Sequence, residues 1–169
     1  MAKAVYPGSF DPVHKGHVDI ATRASRVFDV LHVGIYEAPP KNLIFTTQER
    51  IDMFEKAVGH LSNVEISTFD GLVTDFANSI GSKFIVRGLR AGNDFETEFE
   101  MAHMWRNLDS DIDIVCMMSS LQHQFLHSSR IKEVAQLGGD VSELVPIEVV
   151  ESIKTKLAQV RHERQKFPR

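Results

Sequence analysis

Short apolar runs alternate with longer, more polar segments along the chain. The runs fall at Ala4–Tyr6, Val30–Tyr36, Val64–Ser67, Phe84–Arg87 and Ile112–Met118. They are rich in Val, Ile and Phe and do not alternate strictly with polar residues, the pattern of strands covered on both faces. Between them, apolar residues return at helical spacing. Ile20, Ala21, Ala24, Val27 and Phe28 form one stripe. Thr46 and Glu49 make a capping box ahead of Ile51, Phe54 and Val58. Leu72, Val73, Phe76, Ala77 and Ile80 form a third stripe that closes at Gly81, and a fourth helix spans Phe95 to Leu108. Ser128 or Ser129 is the expected cap of a fifth helix, ended by Gly138-Gly139. A last amphipathic helix runs from Ile147 to about His162.

Strand followed by helix, five times over with a helix added, predicts an α/β fold: a doubly wound, five-stranded parallel sheet of Rossmann-like form with right-handed crossovers. The 169 residues contain no repeat, low-complexity segment or linker. They are read as one domain, 1–169, with a C-terminal helix from about 147. In such sheets ligands bind beyond the carboxyl ends of the strands, so chemistry belongs in the loops that follow each strand. Pro7 to His17 follows the first strand, Lys41 the second, Asp70 to Val73 the third and Arg87 to Arg90 the fourth. Ser119, Ser120 and Ser128 to Arg130 follow the fifth. Five loops rich in Gly, Ser, His, Lys and Arg therefore share one rim, a composition suited to phosphate.

Charge narrows the ligand further. A formal net charge of −4 gives no global attraction to nucleic acid or anionic membrane, so an anion must be held by a local basic cluster. The one cysteine, Cys116, cannot form a disulfide within the chain. The N-terminal residues lack a signal-peptide stretch, and no window reaches the ~18 apolar residues of a membrane helix. A cytoplasmic protein without nucleic-acid or membrane partners is expected.

The first loop is the most informative. Gly8 lets backbone approach a ligand closely, and Ser9 supplies a hydroxyl. His14-Lys15-Gly16-His17 opens a helix, whose N-terminal N–H groups favour an anion. Two histidines make an incomplete zinc site. Surface positions for both, or a metal pair, are the competing readings at this point. Lys41 on the Pro39-Pro40 loop is a point charge able to bridge two phosphates or simply to face solvent. Arg87 and Arg90 can grip phosphate bidentately, or pair with Asp94 and Glu96 at the start of the next helix.

His14-Lys15-Gly16-His17 resembles the (H/T)xGH motif of the nucleotidyltransferase superfamily. Tyr6 to Pro12, Gly16 to Asp19, Arg87 to Arg90, Asp94 to Glu96, Glu98, Ala102 to Met104 and Lys132 to Ala135 resemble the phosphopantetheine adenylyltransferase family. That resemblance, running from about Val5 past Pro146, implies adenylyl transfer from ATP to 4′-phosphopantetheine. The products would be dephospho-coenzyme A and pyrophosphate, with no covalent enzyme intermediate. It implies His17, Lys41 and Arg90 as catalytic. It implies ATP contacts at Ser9, Phe10, His17, Gly88, Leu89, Arg90 and Glu98, and along His123, Gln124, Phe125, Leu126, His127, Ser128 and Ser129. It implies contacts to the acceptor at Ser9, Lys41, Val73 and Arg87. Mg²⁺ would ride on the ATP phosphates with no metal site on the protein. The assembly would be a homohexamer, with coenzyme A or dephospho-coenzyme A as product or feedback ligand.

The chain departs from the family pattern at several positions. His14-Lys15 stands where Thr-Asn is frequent, Thr97 for Tyr, Trp105 for Asn, His123 for another aromatic and His127 for Ser. Three further readings stand beside this one, the third an RNA-binding relative of the class I aminoacyl-tRNA synthetases, against which the net charge of −4 and the single-domain length argue. A sister enzyme would be a nicotinate or nicotinamide mononucleotide adenylyltransferase, with Trp105 stacking on the ring, or a cytidylyltransferase. A non-catalytic nucleotide-binding module would have no need of His17, Lys41, Arg87 and Arg90 together.

Overall fold

The computed structural model describes residues 1–40, 42–90 and 93–166. Its elements follow the order β1 (Lys3–Gly8), α1 (Lys15–Ala24), β2 (Val30–Tyr36), α2 (Thr47–Val58), β3 (Val64–Phe69), α3 (Val73–Ser79) and β4 (Phe84–Leu89). Then come α4 (Asn93–Leu108), β5 (Asp113–Met118), α5 (Ser128–Gln136) and α6 (Ile147–Lys166). All strand pairs are parallel, in the order β3-β2-β1-β4-β5. The chain winds outward from β1 to one edge, returns, and winds to the other. The order therefore reverses between β1 and β4, and a crevice opens there at the strands' carboxyl ends.

Alternation along the strands feeds two cores. Ala4 and Tyr6 of β1 join Leu31, Val33 and Ile35 of β2 under α1, α2, α5 and α6. Val5 and Ile85 face the other way, onto Val73, Ala77 and Trp105 of α3 and α4. The capping box of α2 is formed: Glu49 N donates to Thr46 Oγ1 at 3.2 Å, and Thr46 N to Glu49 Oε2 at 2.7 Å. Gly138 ends α5 with φ at +91°, the left-handed conformation that glycine adopts cheaply.

Three expectations need correction. The cap of α5 is His127, not Ser128 or Ser129. The Ser128 hydroxyl instead donates to the Pro12 carbonyl at 2.9 Å, tying α5 to the first loop. Strand β5 is not covered on both faces: it is the outermost strand, and Cys116 and Met118 are exposed. The helix α4 begins two residues earlier than its apolar pattern indicates. Among the described residues, no helix is long and apolar enough to cross a membrane.

Candidate active site

The crevice between β1 and β4 holds a cleft of about 350 Å³. Residues from the ends of β1 and β4, the first turn of α1, α4, the segment after β5 and the start of α5 all line it. Ser9, Phe10, His17, Arg87, Gly88, Arg90, Glu98, His123, His127, Ser128 and Ser129 reach it, as do Asp11, His14, Ser119 and Lys132. Four other expected contacts do not line it: Leu89 and Leu126 are buried, while Gln124 and Phe125 lie on the segment leading to α5. Val73 is buried in the second core and also lies off the cleft lining. Lys41 lies outside the described residues.

The first turn of α1 is built by its two histidines. His17 N donates to His14 Nδ1 at 3.3 Å, and His14 N donates to His17 Nδ1 at 3.2 Å. The rings stack with centroids 3.5 Å apart. This reciprocal cap uses imidazole in the role that Ser and Glu play elsewhere. It also fixes both tautomers. Each Nδ1 accepts, so in the neutral rings the hydrogen sits on Nε2. The surface reading does not fit His14, which is buried, while His17 is half-buried and lines the cleft.

Burial lowers the His14 pKa to about 3, with Arg90, His127 and His123 adding like charge. The unfolded chain binds this proton near 6.5. Between those values the unfolded state is the more protonated, so stability falls as pH drops from about 6.5 toward 3. His14→Thr keeps a capping oxygen and removes the titration. Its melting temperature is expected to depend less steeply on pH over that window than the parent's. Equal slopes in thermal melts would rule the linkage out.

The backbone of the first loop is pinned from several directions. Phe10 sits at φ +48°, a conformation costing a bulky residue roughly 1–3 kcal/mol. Its ring covers Gly8 so closely that a Cβ there would meet ring carbons at 2.7 and 2.9 Å. Arg50 of α2 is fully buried and donates to the carbonyls of Ser9 (2.9 Å), Tyr36 (2.7 Å) and Glu37 (3.1 Å). It thereby ties the first loop to the end of β2. Asp11 is buried as well. Its carboxylate accepts from Ile44 N (3.1 Å), Phe45 N (2.9 Å) and Lys132 Nζ (2.5 Å). These links hold the two flanks of the β2–α2 connection, Tyr36–Glu37 and Ile44–Phe45, to the first loop. Arg50 left no mark in the sequence, where it reads as one more polar helix residue. The partner of Asp11 lies 121 positions away.

Both expected arginines are already engaged. Arg87 makes a two-pronged bond to Glu98, Nε to Oε2 and Nη2 to Oε1, each 2.7 Å. Burial opposes its charge, but Glu98 outweighs burial and holds the guanidinium more firmly protonated than usual. Glu98, not Glu96, is thus its partner. Arg90 pairs with Asp94, at 2.7 Å from Nε and 3.1 Å from Nη2. Trp105 is buried beneath Arg87, whose guanidinium lies 5.8 Å from the indole centroid. Its face is therefore not offered to a nicotinamide ring.

The cytidylyltransferase-like family profile matches residues 5–134. The chain is 51% identical to a phosphopantetheine adenylyltransferase of Thermomicrobium roseum over 157 residues, covering 91% of this chain and 94% of the relative. It is 49% identical to the one of a Roseiflexus species, covering 91% and 96%. It is 47% identical to that of Clostridium kluyveri, covering 92% and 95%. The chain belongs to the phosphopantetheine adenylyltransferase family. A solved structure from Vibrio parahaemolyticus, provisionally described as a nicotinate-nucleotide adenylyltransferase, matches with a TM-score of 0.64 at 17% identity. It covers 90% of this chain and 99% of its own. At that identity the likeness carries the fold alone, and the choice of acceptor rests on the phosphopantetheine adenylyltransferase relatives.

Proposed function

We propose that this chain transfers the adenylyl group of ATP to 4′-phosphopantetheine. A phosphate oxygen of the acceptor attacks the α-phosphorus and forms a new P–O bond. The bond from the α-phosphorus to its β-bridging oxygen breaks, and pyrophosphate leaves with the charge. Dephospho-coenzyme A remains. The reading rests on one observation: in a chain matching this family over nine-tenths of its length, Ser9, His17, Arg87 and Arg90 meet in a single cleft at the sheet's switch point.

The protein's task in such a displacement is positioning and charge stabilisation. His17 would present its Nε2–H to a non-bridging oxygen of the α-phosphate. Ser9 would meet both substrates, and Arg90, Ser128 and Ser129 the ATP phosphates. Lys41 and Arg87 would hold the acceptor phosphate. Mg²⁺ would enter as part of the MgATP substrate, neutralising phosphate charge. The cleft carboxylates, Asp11 and Glu98, face Lys132 and Arg87 instead. Dephospho-coenzyme A and coenzyme A carry both substrate moieties and would compete for the same cleft.

The proposed homohexamer draws support from an open apolar surface. Phe95, Phe99, Met104 and Leu108 on α4 are more than half exposed, as are Met118, Leu121 and Phe125 near the β5 edge. A patch of that kind on a small domain marks an interface. Sedimentation at six times the 19.1 kDa chain mass would bear this out, and a monomer would sink it. A cytoplasmic setting suits an exposed Cys116 with no thiol partner in the chain.

Pyrophosphate release is the direct test. Turnover is expected with 4′-phosphopantetheine and none with pantetheine, nicotinamide mononucleotide or glycerol phosphate. Faster turnover with nicotinamide mononucleotide would transfer the chain to the sister activity. Lys41→Ala and Arg87→Ala are expected to raise the acceptor KM far more than the ATP KM. Because Arg87→Ala strands the Glu98 carboxylate, Arg87→Ala/Glu98→Gln is the cleaner comparison. A selective loss of ATP affinity would reverse the two halves of the cleft.

A further inference from the structure

Arg90 is held on two sides. Asp94 takes the Nε and Nη2 edge. On the other side, Nη1 meets the Leu126 carbonyl at 3.1 Å and His127 Nδ1 at 2.5 Å. Four of the five guanidinium N–H groups are therefore directed at partners within the protein. Asp94 alone would fix one edge and leave the plane free to swing about it. The Nη1 contacts remove that freedom. Leu126 is buried, so its carbonyl is fixed by the backbone. His127, as the cap of α5, supplies the one adjustable acceptor.

We infer that His127 is a positioning residue: its neutral Nδ1 accepts from Arg90 and aims the guanidinium at the ATP phosphates, and protonation of the ring releases that aim. The inference rests on the adenylyl-transfer reading above. An imidazolium has two N–H donors and no acceptor. At the contact distance seen here it would also place like charge on like charge, so one of the two side chains must move away.

The surroundings favour the neutral ring. Burial lowers the His127 pKa first and Arg90 second, with Arg130 of α5 acting in the same sense and Asp94 of α4 opposing them. His14, at the cap of α1, lies close enough to feel His127 charge and is itself neutral above about pH 3. The resting cleft is thus arranged around an accepting His127. As pH falls below the ordinary histidine range, the ring takes up a proton and the grip on Arg90 is lost.

Two variants separate aiming from bulk. His127→Asn places an amide oxygen near the position of Nδ1 and accepts at every pH. His127→Ala has no acceptor. The readout is kcat/KM for ATP at saturating 4′-phosphopantetheine, from pH 8 down to the lowest pH at which all three proteins remain folded. At pH 8, His127→Ala is expected about tenfold below the parent through KM, the effect of one lost bond, and His127→Asn is expected to recover most of that loss. On acidification, the ratio of parent to His127→Asn is expected to fall toward the His127→Ala level. The other cleft residues are the same in all three proteins, so the ratio isolates position 127. Parallel profiles for parent and His127→Asn would overturn the inference. So would an unchanged ATP KM in His127→Ala, or a ratio that rises in acid because the imidazolium serves the triphosphate directly. If the parent released no pyrophosphate with 4′-phosphopantetheine, the adenylyl-transfer reading would fail instead. The same three proteins would then be compared by calorimetric ATP binding across that pH range, where the same ordering is expected.

Discussion

Replacing His17 with alanine is expected to lower kcat by about 10²–10³-fold while leaving the ATP dissociation constant nearly unchanged. The reasoning starts from the tautomer. His14 N donates to His17 Nδ1, so the ring's remaining N–H is Nε2–H. A donor held rigidly by a helix cap costs no reorganisation when negative charge builds on the α-phosphate. Losing one such donor has an effect of this size. Because the charge is larger in the transition state than in bound ATP, the loss falls on turnover and spares binding. The substitution also removes half of the α1 cap, worth about 0.5–2 kcal/mol of stability. His17→Asn separates the two effects. Its amide oxygen can accept from His14 N, so the cap and the melting temperature are retained, but its N–H does not reach the Nε2 position. Rapid-quench turnover and equilibrium ATP binding on both variants decide the matter. A kcat near the parent's in His17→Ala would remove His17 from the chemistry, whatever happened to stability.

The sheet was legible because its signal is local. Val30–Tyr36 reads as a buried strand from its own seven residues, and β2 has those bounds. Thr46 and Glu49 announce α2 within one turn. Family motifs around Gly8, His17 and Arg87 identified the rim that the topology assembles. What stayed hidden is long-range and polar. Nothing near Asp11 indicates that it will meet Lys132, and nothing near Arg50 that it will be buried against three carbonyls. Two serines stand where capping residues usually stand, so the sequence points to Ser128 or Ser129 as the cap of α5. The fold instead directs Ser128 to Pro12 and leaves the cap to His127. Arg87 and Arg90 stand ahead of four acids on one helix, Asp94, Glu96, Glu98 and Glu100. Only the register of β4 against α4 selects Glu98 for one and Asp94 for the other.

Those long-range polar links carry the second large effect. Asp11→Ala is expected to cost about 3–5 kcal/mol of stability, the usual consequence of removing one partner from a buried ion pair. In a chain of this length that corresponds to a melting temperature lower by roughly 6–20 °C. Three groups lose their acceptor together: the ammonium of Lys132 and the N–H groups of Ile44 and Phe45. Lys132 is mostly buried, with 18% of its side chain exposed, so water only partly replaces the carboxylate. Asp11→Asn divides the loss. Its amide oxygen can still accept from the two backbone N–H groups, and only the cation is stranded. Asp11→Ala/Lys132→Met removes both charges, and should recover a good part of what Asp11→Ala loses, because a stranded charge costs more than an absent pair. Activity should follow a different order. The residues that Asp11 anchors lie just after Lys41, so Asp11→Ala/Lys132→Met regains stability without regaining the hold on that connection. Asp11→Asn keeps the hold and loses stability. Urea unfolding and acceptor KM on the three variants therefore move independently if Asp11 both pairs with Lys132 and pins the loop. A loss below about 1 kcal/mol in Asp11→Ala, or acceptor KM values that simply track stability, would show that the carboxylate does only one of the two.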